Sequence, residues 1–134
     1  MPTLELTIIA PHTLNKKMQF SVQWLNANDR THWARRANLV RAWRTRAQLA
    51  AASARLPKNI GPSHITATIH KTRGGRWDAH NLTPTAKAIV DGLTDYGLWP
   101  DDNNDYVTGP DMRAGEPRER ACVVLTITPI KEQS

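Results

Sequence analysis

Trp77-Asp78-Ala79-His80-Asn81-Leu82-Thr83-Pro84-Thr85-Ala86-Lys87-Ala88-Ile89-Val90-Asp91-Gly92-Leu93-Thr94-Asp95-Tyr96-Gly97-Leu98-Trp99-Pro100-Asp101-Asp102 is the stretch whose reading decides the fold of this chain. Its centre is a helix. Thr83 can cap it, Pro84 suits the first helical position, and Gly97 suits the left-handed position that ends it. Ala86, Ile89, Val90 and Leu93 recur at helical spacing and form an apolar stripe. Lys87 and Asp91 lie one turn apart on another face, an arrangement that by itself is an exposed ion pair worth a few tenths of a kcal/mol. On the upstream side, a short strand over residues 76–81 would put Asp78 and His80 on one face. Downstream, Asp101-Asp102-Asn103-Asn104-Asp105 is an acidic loop. Phosphodiester chemistry with a bound cation asks for oxygen or imidazole ligands from separate elements, beside a positive group that can meet phosphate. The residues alone fit that requirement and fit a structural acidic turn equally well.

Working outward, Leu4, Leu6 and Ile8 alternate with Glu5 and Thr7, the period of a half-buried strand. Phe20, Val22 and Trp24 alternate again, and the two segments can pair as an N-terminal hairpin. Asn26 to Arg30 reads as a loop, with Asp29 or Thr31 as cap for a long helix over residues 32–55, which is free of Gly and Pro and rich in Ala, Leu and Arg. Trp33, Ala37, Val40, Ala47, Ala51 and Ala54 make its expected core stripe. Trp24, Trp33 and Trp43 could stack on exposed bases or fill the core, and are assigned to the core. Ile65, Ala67 and Ile69 mark a third strand, followed by a basic turn around Gly74-Gly75. Residues 108–118, with two Gly and two Pro, read as irregular, and residues 121–128 as the last strand. The expected class is α/β (α+β): a small mixed sheet of about four to five strands packed with two main helices.

At 134 residues the chain is expected to form one domain, 1–134. Its formal charge of +6 is uneven. Glu5 and Asp29 are the only acidic residues before Asp78, whereas the second part holds the remaining Asp and Glu. A basic field around an acidic pocket suits a polyanionic substrate. Arg30, Arg35, Arg36, Arg41, Arg44, Arg46 and Arg55 meet no acidic residue between Thr31 and Arg76, which favours phosphate contact over a merely solvated face. The single cysteine, Cys122, excludes an intrachain disulfide framework and a cysteine zinc site, and is expected to be a buried, inert thiol. The first ten residues lack the pattern of a signal peptide, and no segment approaches the ~20 apolar residues that span a bilayer. The expected compartment is the cytoplasm, with no membrane partner.

Asp78-Ala79-His80-Asn81-Leu82, then Lys87 to Leu93, then Gly97-Leu98-Trp99-Pro100-Asp101-Asp102 resemble the central signature of the RusA-like Holliday junction resolvases. Asn28-Asp29-Arg30 and Leu125 to Thr128 resemble the ends of that family, so the resemblance touches most of the chain. It implies a small α/β homodimer that binds four-way DNA junctions and makes paired nicks with Mg²⁺, leaving 5′-phosphates, in a bacterial or phage-infected cell. The family's acidic ligands fall on Asp78 and Asp102, its functional lysine on Lys87 and its helix aspartate on Asp91. His80 stands where the family usually has a second aspartate. A neutral imidazole makes the site less negative and suits Mn²⁺ better than Mg²⁺.

The resulting expected set is Asp78, His80, Lys87 and Asp102 as catalytic residues, with Asp78, His80 and Asp102 as metal ligands and Asn81, Asp91 and Asp101 in support. Asn28, Arg30, His32, Arg35, Arg36, Arg41, Arg46, Arg73 and Arg76 are the expected DNA contacts. His32 fits a capping role as well as a phosphate contact. The competing reading is a protein that binds junctions with little or no cutting because of His80. A hydrolase of small phosphate esters, the third reading, leaves the arginine helix unexplained.

Overall fold

Alternating apolar residues build most of the sheet. The computed structural model describes residues 2–14, 20–28, 32–101 and 103–130. Strands β1 (Leu4–Ile9), β4 (Ser63–His70), β5 (Val107–Ala114) and β6 (Cys122–Pro129) form a four-stranded mixed sheet in the order β1-β6-β4-β5. Short strands β2 (His12–Leu14) and β3 (Phe20–Val22) pair with each other in a separate two-stranded ribbon. Two helices, α1 (Trp33–Ser53) and α2 (Thr83–Tyr96), complete the fold, and a single 3₁₀ turn (Ala79–Leu82) leads directly into α2. The class is therefore a small mixed α+β fold, as the sequence predicts.

Leu6 and Ile8 of β1, Ile65, Ala67 and Ile69 of β4, and Val123, Leu125 and Ile127 of β6 are buried in one core with Trp43, Ala47 and Ala51 of α1 and Ile89 and Leu93 of α2. Period-two alternation puts His64, Thr66 and Thr68 of β4 on the opposite face, where they are half-exposed. Between parallel strands β4 and β5 the chain makes its crossover through the 3₁₀ turn and α2, since parallel neighbours cannot be joined by a tight turn. Cys122 is buried and unpaired, as expected of it. Among the described residues no helix is long and apolar enough to cross a membrane.

Several sequence expectations are corrected. β1 does not pair with the Phe20 segment; it pairs antiparallel with β6, Leu6 opposite Leu125, while the Phe20 segment pairs back onto β2. Alternation identifies a strand's buried face, but its partner is chosen by long-range packing. Residues 107–114 are a strand and not irregular chain. Gly109 and Pro110 hid it: the bulge between His64 and Thr66 in the β4–β5 register accommodates them, and Pro is tolerated because β5 is an edge. Trp33 is not in the α1 stripe, being 76% exposed, and Trp43 takes the core position at 0%. The cap of α1 is His32, whose Nδ1 accepts a hydrogen bond from the Ala34 backbone at 3.2 Å. Asp29 and Thr31, the expected caps, lie outside the described residues. Thr83 is the first residue of α2 and not its cap; its hydroxyl donates to the His80 carbonyl at 2.7 Å. Gly97 ends α2 at φ 101°, as predicted.

α1 and α2 meet at Gly92. A Cβ there would come within 2.8 Å of Ala47 Cβ and strike the Arg44 carbonyl oxygen, so only glycine permits this approach. At the next turn Arg44 spans to Asp95 in a two-pronged ion pair, with Nη2 donating to Oδ1 at 2.7 Å and Nε donating to Oδ2. These hydrogen bonds, against a small cost of desolvation and helped by the guanidinium charge, hold the Asp95 carboxyl below the usual carboxylate range. Arg44 thus leaves the set of arginines open to other anions.

Gly92→Ala is expected to lower the unfolding free energy by about 1–3 kcal/mol in urea denaturation, with the helix pair forced apart. Because the Asp95 pKa is depressed on folding, its stabilisation is present above pH ~4 and is lost as pH falls through the lowered value. The pair is partly exposed, so the effect is at most about 1 kcal/mol. Asp95→Asn should flatten the acid limb of a thermal-stability profile by that amount.

Candidate functional site

Asp78 is extended, at φ −101° and ψ 114°, and its Oδ1 accepts a hydrogen bond from the His80 backbone at 2.9 Å. The Asn81 backbone then donates to the Asp78 carbonyl at 3.1 Å. An aspartate can satisfy the backbone two residues ahead from its own side chain, and here that local bond wins over a sheet ladder. The expected strand over residues 76–81, with Asp78 and His80 on one face, is therefore replaced by a 3₁₀ turn. Ala79 and Leu82 are buried and anchor that turn, while Asp78 and His80 stay exposed. Just upstream, Trp77 is half-buried, with the Lys71 ammonium 4.3 Å from its ring centroid.

A second segment is fastened to this turn. The Ala27 backbone donates to the Asn81 carbonyl at 2.8 Å, bringing Asn28 into the neighbourhood of Asp78–Asn81. Two residues earlier, Thr85 clasps Leu25 twice: its Oγ1 accepts from the Leu25 N–H at 2.9 Å and donates to the Leu25 carbonyl at 2.8 Å. Sequence reasoning missed Thr85, although a polar β-branched residue among Ala and Ile at a helix start is the signal of a buried partner. Gln23 was missed too. Buried beside α1, it accepts from Arg35 at 3.1 Å through Oε1, and its carbonyl accepts from Trp43 Nε1 at 2.8 Å.

The arginines separate into groups. Arg35 and Arg36 sit in the first turn of α1, with Arg36 donating to the Asn26 carbonyl at 3.3 Å. That turn holds no acidic residue, so two cations lie at the positive end of the helix dipole, an unfavourable placement unless an anion is nearby. Arg41 and Arg46 instead line a groove of about 850 Å³ between α1 and β1, with Arg46 donating to the Ile9 carbonyl at 3.3 Å. Asp78 and His80 are not among its lining residues. Arg73 and Arg76 are exposed on the loop between β4 and the 3₁₀ turn. Arg30 lies outside the described residues.

Lys87 is exposed on α2, and Asp91, one turn on, is half-buried. Asp101 is exposed after Trp99-Pro100, its Oδ2 accepting from Asn103 at 3.3 Å. Asp102 lies outside the described residues. Among the described residues no three His, Cys, Asp or Glu side chains converge into a group that could hold a metal ion. Asp78 and His80 bring one hard oxygen donor and one imidazole from neighbouring positions, a pair whose chemistry suits a divalent cation once a third donor is added. Asp101 does not form that trio with them. No protein-family model matches the chain, and no curated protein matches it.

Thr85→Val keeps the volume of the side chain but leaves the Leu25 N–H and carbonyl buried without their partner. It is expected to destabilise the fold by about 1–3 kcal/mol and to speed amide hydrogen exchange at Leu25 and Ala27. A substitution neutral in both measurements would show that the clasp does not hold the segment to the turn.

Proposed function

We propose that this protein is a metal-dependent endodeoxyribonuclease acting on four-way DNA junctions, in the manner of the RusA-like resolvases its sequence resembles. The observation that carries the reading is the docking of Asn26–Asn28 onto the Asp78–Leu82 turn. Ala27 is bonded to the Asn81 carbonyl and Arg36 to the Asn26 carbonyl, which supports a reading in which phosphate-binding cations and candidate ligands act on one substrate.

In this reading Asp78, His80 and Asp102 hold a divalent cation, Mg²⁺ or, favoured by the imidazole, Mn²⁺. When bound, the cation would polarise the scissile phosphate and favour deprotonation of an attacking water. The chain's own groups do the rest. The Asp78 Oδ1 is fixed by the His80 N–H, which orients the carboxylate before substrate arrives. Lys87 offers an ammonium to a non-bridging phosphate oxygen, where negative charge grows in the transition state. Arg35 and Arg36, braced by Gln23 and by the Asn26 carbonyl, hold flanking phosphates. A homodimer would supply the two symmetric incisions that resolve a junction and leave 5′-phosphates.

A non-cutting junction binder is the second reading, favoured by His80 in a carboxylate position. Cleavage of a labelled mobile junction with Mg²⁺ and with Mn²⁺, beside linear duplex of equal length, separates the two. Nicking faster in Mn²⁺ than in Mg²⁺ is expected, with Asp78→Asn and Asp102→Asn each losing at least about 100-fold in rate while junction binding persists. His80→Asp should raise the Mg²⁺ rate. Wild type that binds but never nicks, with His80→Asp restoring nicking, would establish the binder. Loss of binding in both aspartate variants would make those residues structural and end the nuclease reading.

A further inference from the structure

The geometry points to Trp33 as a stacking platform for an unpaired nucleobase, a site distinct from the phosphate contacts and from the Asp78–His80 pair. The assignment rests on the nucleic-acid reading above. α1 carries two tryptophans, and the fold treats them in opposite ways. Trp43 is completely buried, with its indole N–H bonded to Gln23, whereas Trp33 is 76% exposed at the first position of the helix. Of the remaining tryptophans, Trp99 is buried and Trp24 and Trp77 are half-buried, so Trp33 is the one indole held out to solvent.

Around it are a second aromatic ring and the two arginines of the same helical turn. His32 precedes it, with its ring fixed by accepting the Ala34 N–H and its centroid 5.5 Å from the Trp33 ring at an interplanar angle of 33°. Both aromatic rings are exposed, and both belong to a turn whose other side chains include Arg35 and Arg36. Aromatic faces flanked by guanidinium groups bind single-stranded nucleic acid without regard to sequence, the ring taking a base and the cations its phosphates. The turn is also placed correctly. Arg36 ties it to the Asn26 carbonyl, and the next residue, Ala27, is tied to Asn81. Two hydrogen-bonded links therefore run from the Arg36 side chain, three residues along α1 from Trp33, to the turn that bears Asp78 and His80.

A flat, stiff indole held out to solvent on a nucleic-acid-binding surface gives selectivity for structure. Continuous duplex keeps its bases stacked on one another, so Trp33 gains nothing there. At a branch point or in a single strand a base face is open, and the platform can take it. Trp33 would thus discriminate between substrates that present the same phosphates.

The test uses the full chain with labelled junction, perfect duplex and an oligothymidylate of about 16 nucleotides, followed by anisotropy and by tryptophan emission. Trp33→Ala is expected to weaken oligothymidylate and junction binding by roughly tenfold, to leave duplex binding within about twofold, and to remove the emission quenching that wild type shows on adding oligothymidylate. Trp33→Phe should restore most of the binding, while circular dichroism confirms that both variants fold. Equal losses on all three DNAs, or unchanged affinity with no quenching in wild type, would overturn the platform and leave Trp33 free for a protein partner. The two readings fail separately: quenching and selective binding without nicking would end the nuclease and keep the platform. Nicking with unaltered binding in Trp33→Ala would do the reverse.

Discussion

At Gly92 the backbone of α2 comes so close to the Arg44 carbonyl of α1 that one methyl group would not fit, and the two helices pack against each other at that distance. A wider crossing would withdraw Trp43 and Ala47 from the core they share with Ile89 and Leu93. The Arg44–Asp95 pair reinforces the crossing at the surface, although a partly exposed ion pair adds little beside the packing. α2 carries the Asp78 turn at its start, and α1 carries the basic turn at its own start. The helix crossing therefore fixes the relation between candidate ligands and candidate phosphate contacts.

Two hydrogen-bonded clasps refine that relation. Thr85 holds both polar groups of Leu25, and Asn81 accepts from Ala27, so the segment entering α1 is pinned along the start of α2. Buried bonds of this kind act less through their net energy than through the penalty for breaking them. The exposed groups around them, Asp78, His80, Arg35 and Trp33, are consequently presented by backbone that is itself anchored.

The limits of sequence reading fall at identifiable residues. Alternation exposed β1 and β4, a continuous apolar run exposed β6, and Pro84 with Gly97 bracketed α2, because each of those signals is carried by neighbouring residues. β5 was hidden by Gly109 and Pro110, which are acceptable only because that strand is an edge with a bulge. The strand expected around Asp78 gave way to a turn because its carboxylate captured the His80 N–H. Asp95 escaped notice as the partner of Arg44 because 51 residues separate them in the chain. The same is true of Leu25 and Thr85, 60 residues apart.

The sequence by itself determined the mixed α+β class, the two helices, three of the four main strands, the burial of Cys122 and the separation of basic from acidic charge. These follow from periodicity, backbone preference and composition, which neighbouring residues already contain. Tertiary structure alone decided that β1 pairs with β6, that the Asn26–Asn28 segment rests on the Asp78 turn, and that Trp43 is buried while Trp33 is left in solvent. Those outcomes depend on which surfaces meet, and two tryptophans ten residues apart on one helix face different surroundings only once the second helix and the sheet are in place.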